Sequence, residues 1–156
     1  MNFKTALALG MLLSASLSAI AQIDVSYDQA MKHLAPSFNM DASSPADGAE
    51  RATGLSGDKL ALIELIGKKS NLTQASLMIV IPNDSTQAVA QNSGRLLRFV
   101  ANTVPEWKGD ASWIKAGLRK IARGDYSDST TSIGSKTVKM HSMKEGAMIL
   151  TTITRR

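Results

Sequence analysis

Two strongly apolar runs, joined by a short polar segment, constrain the fold of this chain more than any other feature. The first covers residues 60–66 and ends at Gly67, and the second covers residues 77–81 and ends at Pro82. Their lengths favour strands over helices, and residues 67–71 between them predict a hairpin loop. Because nearly every position is apolar, both runs predict central strands with at least one face covered by helices.

A long amphipathic helix is predicted directly after the second run. Asp84 and Gln87 have the spacing of a capping box, and Pro105 ends the pattern. The apolar residues that recur on one helical face are Val89, Leu96, Leu97, Val100 and Val104. The residues expected away from that face are Gln91, Asn92, Arg95, Arg98 and Asn102.

A second helix is predicted to begin with Asp110 as its cap. Ile114, Leu118 and Ile121 form its apolar stripe, and Gly124 stands where a carboxy-terminal cap is expected.

Shorter elements are predicted on both sides of this central part. Residues 24–34 predict a first helix that Pro36 ends, and the turn-rich residues 41–58 leave room for one edge strand at 51–55. Strands at 129–133, 136–143 and 147–154 predict a β-meander, with turns at Gly134-Ser135 and Glu145-Gly146. The sequence therefore predicts a single α+β domain, an antiparallel sheet of about five to six strands with two main helices packed on one face.

The first twenty-one residues predict export. Lys4 is followed by an uncharged, largely apolar stretch and then by Ala19-Ile20-Ala21, an order typical of a secretory signal peptide. Cleavage after Ala21 would leave residues 22–156 as the single domain, periplasmic or secreted. The chain has no cysteine, so packing alone must stabilise this domain in an oxidising compartment.

Composition narrows the chemistry that the mature chain can perform. A cysteine nucleophile and a thiolate metal site are excluded, and the two histidines, His33 and His141, are near no nucleophile-elbow motif. Glu64 is the one acid inside an apolar run, and we expect it to lie at a sheet edge or to point to solvent. One alternative function is an exported hydrolase-type enzyme that uses Glu64, His33 or His141.

A second alternative is an envelope protein that handles copper. Residues 140–143, Met-His-Ser-Met, contain thioether and imidazole groups that suit Cu(I). On a strand, however, Met140 and His141 point to opposite faces, which leaves His141 and Met143 together on one face. Two ligands are too few, and with Met148 on the next strand the methionines are expected to fill the core. No metal ligands and no cofactor are therefore predicted.

The predicted binding surface lies on the second helix. Residues 105–156 hold ten basic and five acidic side chains. Lys115, Arg119, Lys120 and Arg123 are expected on the solvent side of the helix, opposite its apolar stripe, with Trp107 in the preceding linker as a contact residue. Trp113 is expected to cap the core. These residues favour an exported, non-enzymatic binding protein whose partner is a protein or an anionic envelope component, without nucleic acid and without a transmembrane anchor.

Overall fold

The computed structural model describes residues 22–43, 50–82, 84–145 and 147–156, and the predicted signal peptide lies outside these ranges. The strands are β1 (Phe38–Ser43), β2 (Arg51–Ser56), β3 (Ala61–Lys68), β4 (Asn71–Val80), β5 (Ser129–Ile133), β6 (Lys136–Met143) and β7 (Met148–Arg155). The helices are α1 (Tyr27–Ala30), α2 (Thr86–Thr103) and α3 (Asp110–Ala122), and a 3₁₀ turn covers Ala35–Ser37. The α+β class is confirmed.

All seven strands form one antiparallel sheet in the order β1-β2-β3-β4-β7-β6-β5. The sheet has more strands than predicted because β1 pairs with β2, which is consequently not an edge strand. Apolar and polar residues alternate along β1, so Phe38, Met40 and Ala42 share one face of the sheet. β4 is the middle strand, as its apolar run predicts, and its pairing with β7 joins two meanders.

The helices pack on one face of the sheet, which we call the inner face. Phe99 and Leu96 of α2 are fully buried in one cluster with Ile63 of β3 and with Leu77 and Ile79 of β4. Each such side chain contributes roughly 1.5–3 kcal/mol through its removal from water. This cluster is the main core of the described chain.

The polar residues of α2 correct the sequence prediction. Asn92 is 0% exposed and Arg95 is 5% exposed, although both were expected on the polar side. Asn92 Nδ2 donates to the Val80 carbonyl at 2.6 Å, and Arg95 Nη1 donates to Asn92 Oδ1 at 2.6 Å and to Asp58 Oδ2 at 2.8 Å. These hydrogen bonds make burial of the two side chains tolerable and anchor α2 to the sheet.

The helix ends also differ from prediction in detail. The cap of α2 is Ser85, whose hydroxyl accepts from the Ala88 N–H, so the predicted capping box at Asp84 is wrong. α3 begins at Asp110 with Gly109 as its cap, and Gly124 follows its end with φ +78°, as expected of a carboxy-terminal cap. Ile114 and Ile121 are buried and Leu118 is partly buried, as predicted.

The first helix is much shorter than predicted. α1 holds four residues, is capped by Ser26 and is followed by turns before the 3₁₀ segment that contains Pro36. The expected apolar stripe of Val25, Met31 and Leu34 is nevertheless buried in the main core.

The strands of the predicted carboxy-terminal meander agree with the structure to within one residue. β5 and β6 have the predicted bounds, and Gly134 in the turn between them has φ +57°. β7 starts and ends one residue later than predicted. Gly146 of the second predicted turn lies outside the described residues.

The opposite face of the sheet, which we call the outer face, has a polar half and an apolar half. One row across the sheet runs through Thr53, Glu64, Ser76, Thr152 and Lys139, each the register partner of the next. Beside this row lies a separate apolar cluster in which Met78 and Met148 are buried. The partly buried members of that cluster are Leu62, Val80, Met143 and Leu150.

Candidate functional site

The basic residues of α3 form an exposed surface, as the sequence predicts. α3 is fixed to the sheet by Ile114, Ile121 and Gly117, and a Cβ on Gly117 would lie 2.5 Å from Met140 Sδ. This close approach turns the opposite side of the helix to solvent. The four basic side chains there are all exposed, and we call them the basic strip: Lys115, Arg119, Lys120 and Arg123.

Four cations of the described residues are held in ion pairs, and none of these four belongs to the basic strip. Arg51, Arg95, Lys136 and Lys139 each have a nitrogen between 2.8 and 3.7 Å from a carboxylate oxygen. Across the described ranges, no member of the strip makes such an ion pair. Its charge is therefore directed to the solvent.

One acid lies at the carboxy-terminal end of the strip. Hydrogen bonds from the hydroxyl and backbone N–H of Ser127 lower the pKa of Asp125, and the charge of Lys120 lowers it further. Lys120 Nζ lies 3.5 Å from Ser127 Oγ. Asp125 thus offsets part of the charge at Lys120, and the remaining three cations keep theirs.

The two tryptophans lie together at the amino-terminal end of α3. The ring centroids of Trp107 and Trp113 are 5.3 Å apart, with an interplanar angle of 57°. Both side chains are partly buried against the main core. The structure therefore gives Trp107 the same packing role that the sequence assigned to Trp113, and leaves part of its surface accessible.

Glu64 is not where the sequence placed it. It lies on β3, two strands from the nearer edge of the sheet, and is only 8% exposed. Burial raises the pKa of Glu64, and Arg51 opposes this shift. Arg51 Nε lies 3.5 Å from Glu64 Oε1, an ion pair whose geometry falls short of a hydrogen bond and leaves both atoms without a hydrogen-bond partner in the described structure.

The two histidines and Glu64 lie on different elements of the described fold. His33 is exposed in the turn after α1, on the helix side of the sheet, whereas His141 belongs to β6 and the outer face. A depression of about 300 Å³ near α1 is lined by residues that include Tyr27, Glu50, Arg51 and Lys69. Neither histidine lines it. This depression therefore does not bring a histidine and two acids together, the arrangement that the hydrolase alternative requires.

His141 has a partner that sequence reasoning missed. Its Nδ1 lies 2.5 Å from Asp128 Oδ1, and Lys139 Nζ lies 3.7 Å from the other oxygen of the same carboxylate. Asp128 precedes β5, and the antiparallel pairing of β5 with β6 brings it to His141. No local motif signals this contact, because it depends on the strand register.

Two general features of the described residues bear on function. They contain no cluster of three or more His, Asp or Glu side chains suited to hold a metal ion. Within the same ranges, no helix is both long enough and apolar enough to cross a membrane.

Comparison with known proteins gives no relative from which a function could be transferred. No family model, no curated protein and no solved structure matches the chain.

Proposed function

We propose that this chain is an exported, non-enzymatic binding protein that holds an acidic partner on the basic strip of α3. The partner is a protein or an anionic component of the cell envelope. The observation that supports the proposal best is the concentration of four exposed cations on one helix, none of which makes an ion pair within the described ranges. Four exposed charges on one rigid helix attract anions without first breaking an internal ion pair.

The dimensions of the strip favour concerted binding. Lys115 and Arg123 are eight positions apart, which corresponds to about 12 Å along a helix. Successive members of the strip are at most about 6 Å apart along the helix axis. This spacing is within the Debye length of roughly 8 Å at physiological ionic strength, so neighbouring strip charges reinforce one another near the surface. Trp107 and Trp113 provide a partly exposed aromatic surface at the amino-terminal end of the same helix.

Part of the strip also stabilises the helix itself. Arg119 and Lys120 lie in the last turn of α3, where cations interact favourably with the helix dipole. This local effect explains two of the four charges and leaves Lys115 and Arg123 to the binding function.

Export is the second part of the proposal, and it rests on the sequence of residues 1–21. Amino-terminal sequencing of material from the envelope or the medium should begin at Gln22. Recovery of the mature protein with Met1 intact would contradict export.

A charge-matched pair of variants tests the strip. The strip variant replaces Lys115, Arg119, Lys120 and Arg123 with Gln, which is nearly as good a helix former as Lys or Arg. The control variant replaces four other exposed cations with Gln: Lys32, Lys68, Arg98 and Lys144. Both variants lose the same charge, so any difference between them reports the position of the charge and not its amount.

Retention on immobilised polyglutamate and capture from an envelope extract are the measurements, each made across a series of salt concentrations. We expect the parent and the control variant to elute at similar salt, and the strip variant to elute earlier with a flatter salt dependence. Circular dichroism checks that all three proteins are folded. Equal retention of the strip variant and the parent at low salt would contradict the proposal.

A further inference from the structure

Beyond the basic strip, the outer face of the sheet brings together side chains that the sequence keeps apart. Met143 of β6 and Met148 of β7 are register partners, and His141 lies two residues before Met143 on the same face. Met148 is also the diagonal neighbour of His141, whose own partner is Leu150. One imidazole and two thioethers therefore share one corner of the face.

A third methionine lies beside this group. Met78 of β4 pairs with Leu150, so it is the diagonal neighbour of Met148 from the other side. Met78 and Met148 are 3% and 6% exposed and form one apolar cluster with Met143. By contrast, Met140 of the same β6 strand is buried in the main core on the inner face. Strand pairing thus supplies the ligands that β6 alone lacks.

The contact with Asp128 orients the imidazole of His141. A carboxylate only accepts hydrogen bonds, so Nδ1 is the nitrogen that donates to Asp128 Oδ1. In the neutral ring, Nε2 then carries the lone pair that a metal ion would bind. A carboxylate behind a histidine fixes the tautomer and orientation of the ring, and such pairs are common around protein metal ligands.

We propose that His141, Met143 and Met148 form a Cu(I) site, with Met78 adjacent to it as a further sulfur donor. Residues opposite one another in an antiparallel pair have Cβ atoms about 4.5–5.5 Å apart, and diagonal neighbours about 7–8 Å, both within reach of flexible methionine side chains that converge on one ion. Thioether and imidazole ligands select the soft, monovalent cation over divalent ions that prefer oxygen or thiolate ligands. The apolar side chains of Leu62, Val80 and Leu150 belong to the same cluster and would shield the ion from water.

This site is independent of the basic strip, because its ligands lie on the outer face and α3 packs on the inner face. The failure of one proposal therefore leaves the other intact.

Methionine-to-leucine variants test the site with little effect on packing, because this exchange nearly conserves volume. The test variants are Met143→Leu, Met148→Leu and His141→Asn. The matched control is Met140→Leu, which changes the same residue type on the same strand but on the inner face. Cu(I) is titrated into each folded protein under anaerobic, reducing conditions against the chromophoric chelator bicinchoninate.

We expect the parent and Met140→Leu to withdraw one equivalent of Cu(I) from the chelator. Each test variant should bind at least tenfold more weakly, since loss of even an outer-shell partner commonly weakens metal binding about 10–100-fold. In protein labelled with ¹³C at the methionine methyl groups, Cu(I) or the redox-inert Ag(I) should shift the NMR signals of Met143 and Met148 and leave that of Met140 in place.

Three results would overturn the proposal. The parent could fail to compete with the chelator, the Met143→Leu and Met148→Leu variants could bind as tightly as the parent, or Cu(I) and Ag(I) could bind with the methionine signals of Met143 and Met148 unchanged.

Discussion

At the scale of single residues, Glu64 shows most clearly how the fold changes the chemistry of a side chain. It stands in an apolar run, and the structure places it on a sheet face that carries no helix among the described elements, yet it is almost fully buried. Its register partners are Thr53 of β2 and Ser76 of β4, and Arg51 is its charged partner. Burial of a carboxylate without a complete set of hydrogen bonds destabilises its charged form.

The raised pKa of Glu64 predicts a pH dependence of stability. Between the ordinary value of 4.5 and the raised value, the folded chain binds more protons at this site than the unfolded chain does. The free energy of unfolding contributed by Glu64 therefore falls as the pH rises through this window. Glu64→Gln removes the titration, so we expect the parent to lose stability relative to the variant as the pH rises above 4.5.

Urea denaturation of both proteins at a series of pH values measures this difference. The comparison uses the change in the difference with pH, because loss of the partner of Arg51 shifts the variant by an amount that does not titrate. A parent that gains stability relative to Glu64→Gln over the same pH range would show that Arg51 outweighs burial.

At the scale of elements, the turn between β3 and β4 depends on one glycine. The strand register shifts between Ile66 and Gly67, and Gly67 has φ +111°. A Cβ at this position would lie 2.6 Å from the Thr73 backbone nitrogen, which cannot move without disturbing β4. Only glycine combines this backbone conformation with this close approach.

Gly67→Ala should therefore destabilise the protein, and Gly94→Ala provides a control of opposite sign. Gly94 lies inside α2, and a Cβ there would meet nothing within 4 Å. We expect Gly94→Ala to raise the free energy of unfolding by up to about 1 kcal/mol. Gly67→Ala should lower it by more than about 1 kcal/mol, the scale of an alanine forced to positive φ. Denaturation midpoints that move in the same direction for both variants would contradict this interpretation of the bulge.

The elements also show which sequence signals are informative. β5 and β6 were predicted with their correct bounds because Gly134 marks the turn between them. The first half of β4 was missed, since Gln74 and Ser76 face outward and interrupt the apolar run. The amphipathic pattern of α2 predicted that Arg95 is exposed, whereas it is buried and forms an ion pair with Asp58. The pattern could not show this, because Asp58 lies in a distant part of the chain.

The basic strip and the methionine site also differ in how far the sequence predicts them. Exposure of the basic strip follows from helical periodicity, which is local, and it was predicted. Convergence of Met78 with Met148 depends on pairing between β4 and β7, which lie on either side of both main helices in the sequence. A single sequence carries no signal of that long-range register.

At the scale of the whole molecule, the pairing of β4 with β7 is the joint between two meanders. β1 to β4 form the amino-terminal meander and β5 to β7 the carboxy-terminal one, with α2 and α3 between them in the chain. The main core includes residues of both meanders and of both helices. Because this core is shared, we expect the joint to be among the last parts of the sheet to open.

Hydrogen exchange followed by mass spectrometry tests this expectation on the full chain. Amides of β4 and β7 should exchange last, with an opening free energy close to that of global unfolding, because strands flank them on both sides and the core covers them. The edge strands β1 and β5 should exchange first; Thr130 and Ser132 of β5 are exposed, and each edge strand pairs on one side only. If the two meanders were separate cooperative units, amides at the joint would instead exchange before those inside the β3–β4 and β6–β7 hairpins. That order would show that the sheet opens at its centre and would contradict a single cooperative core.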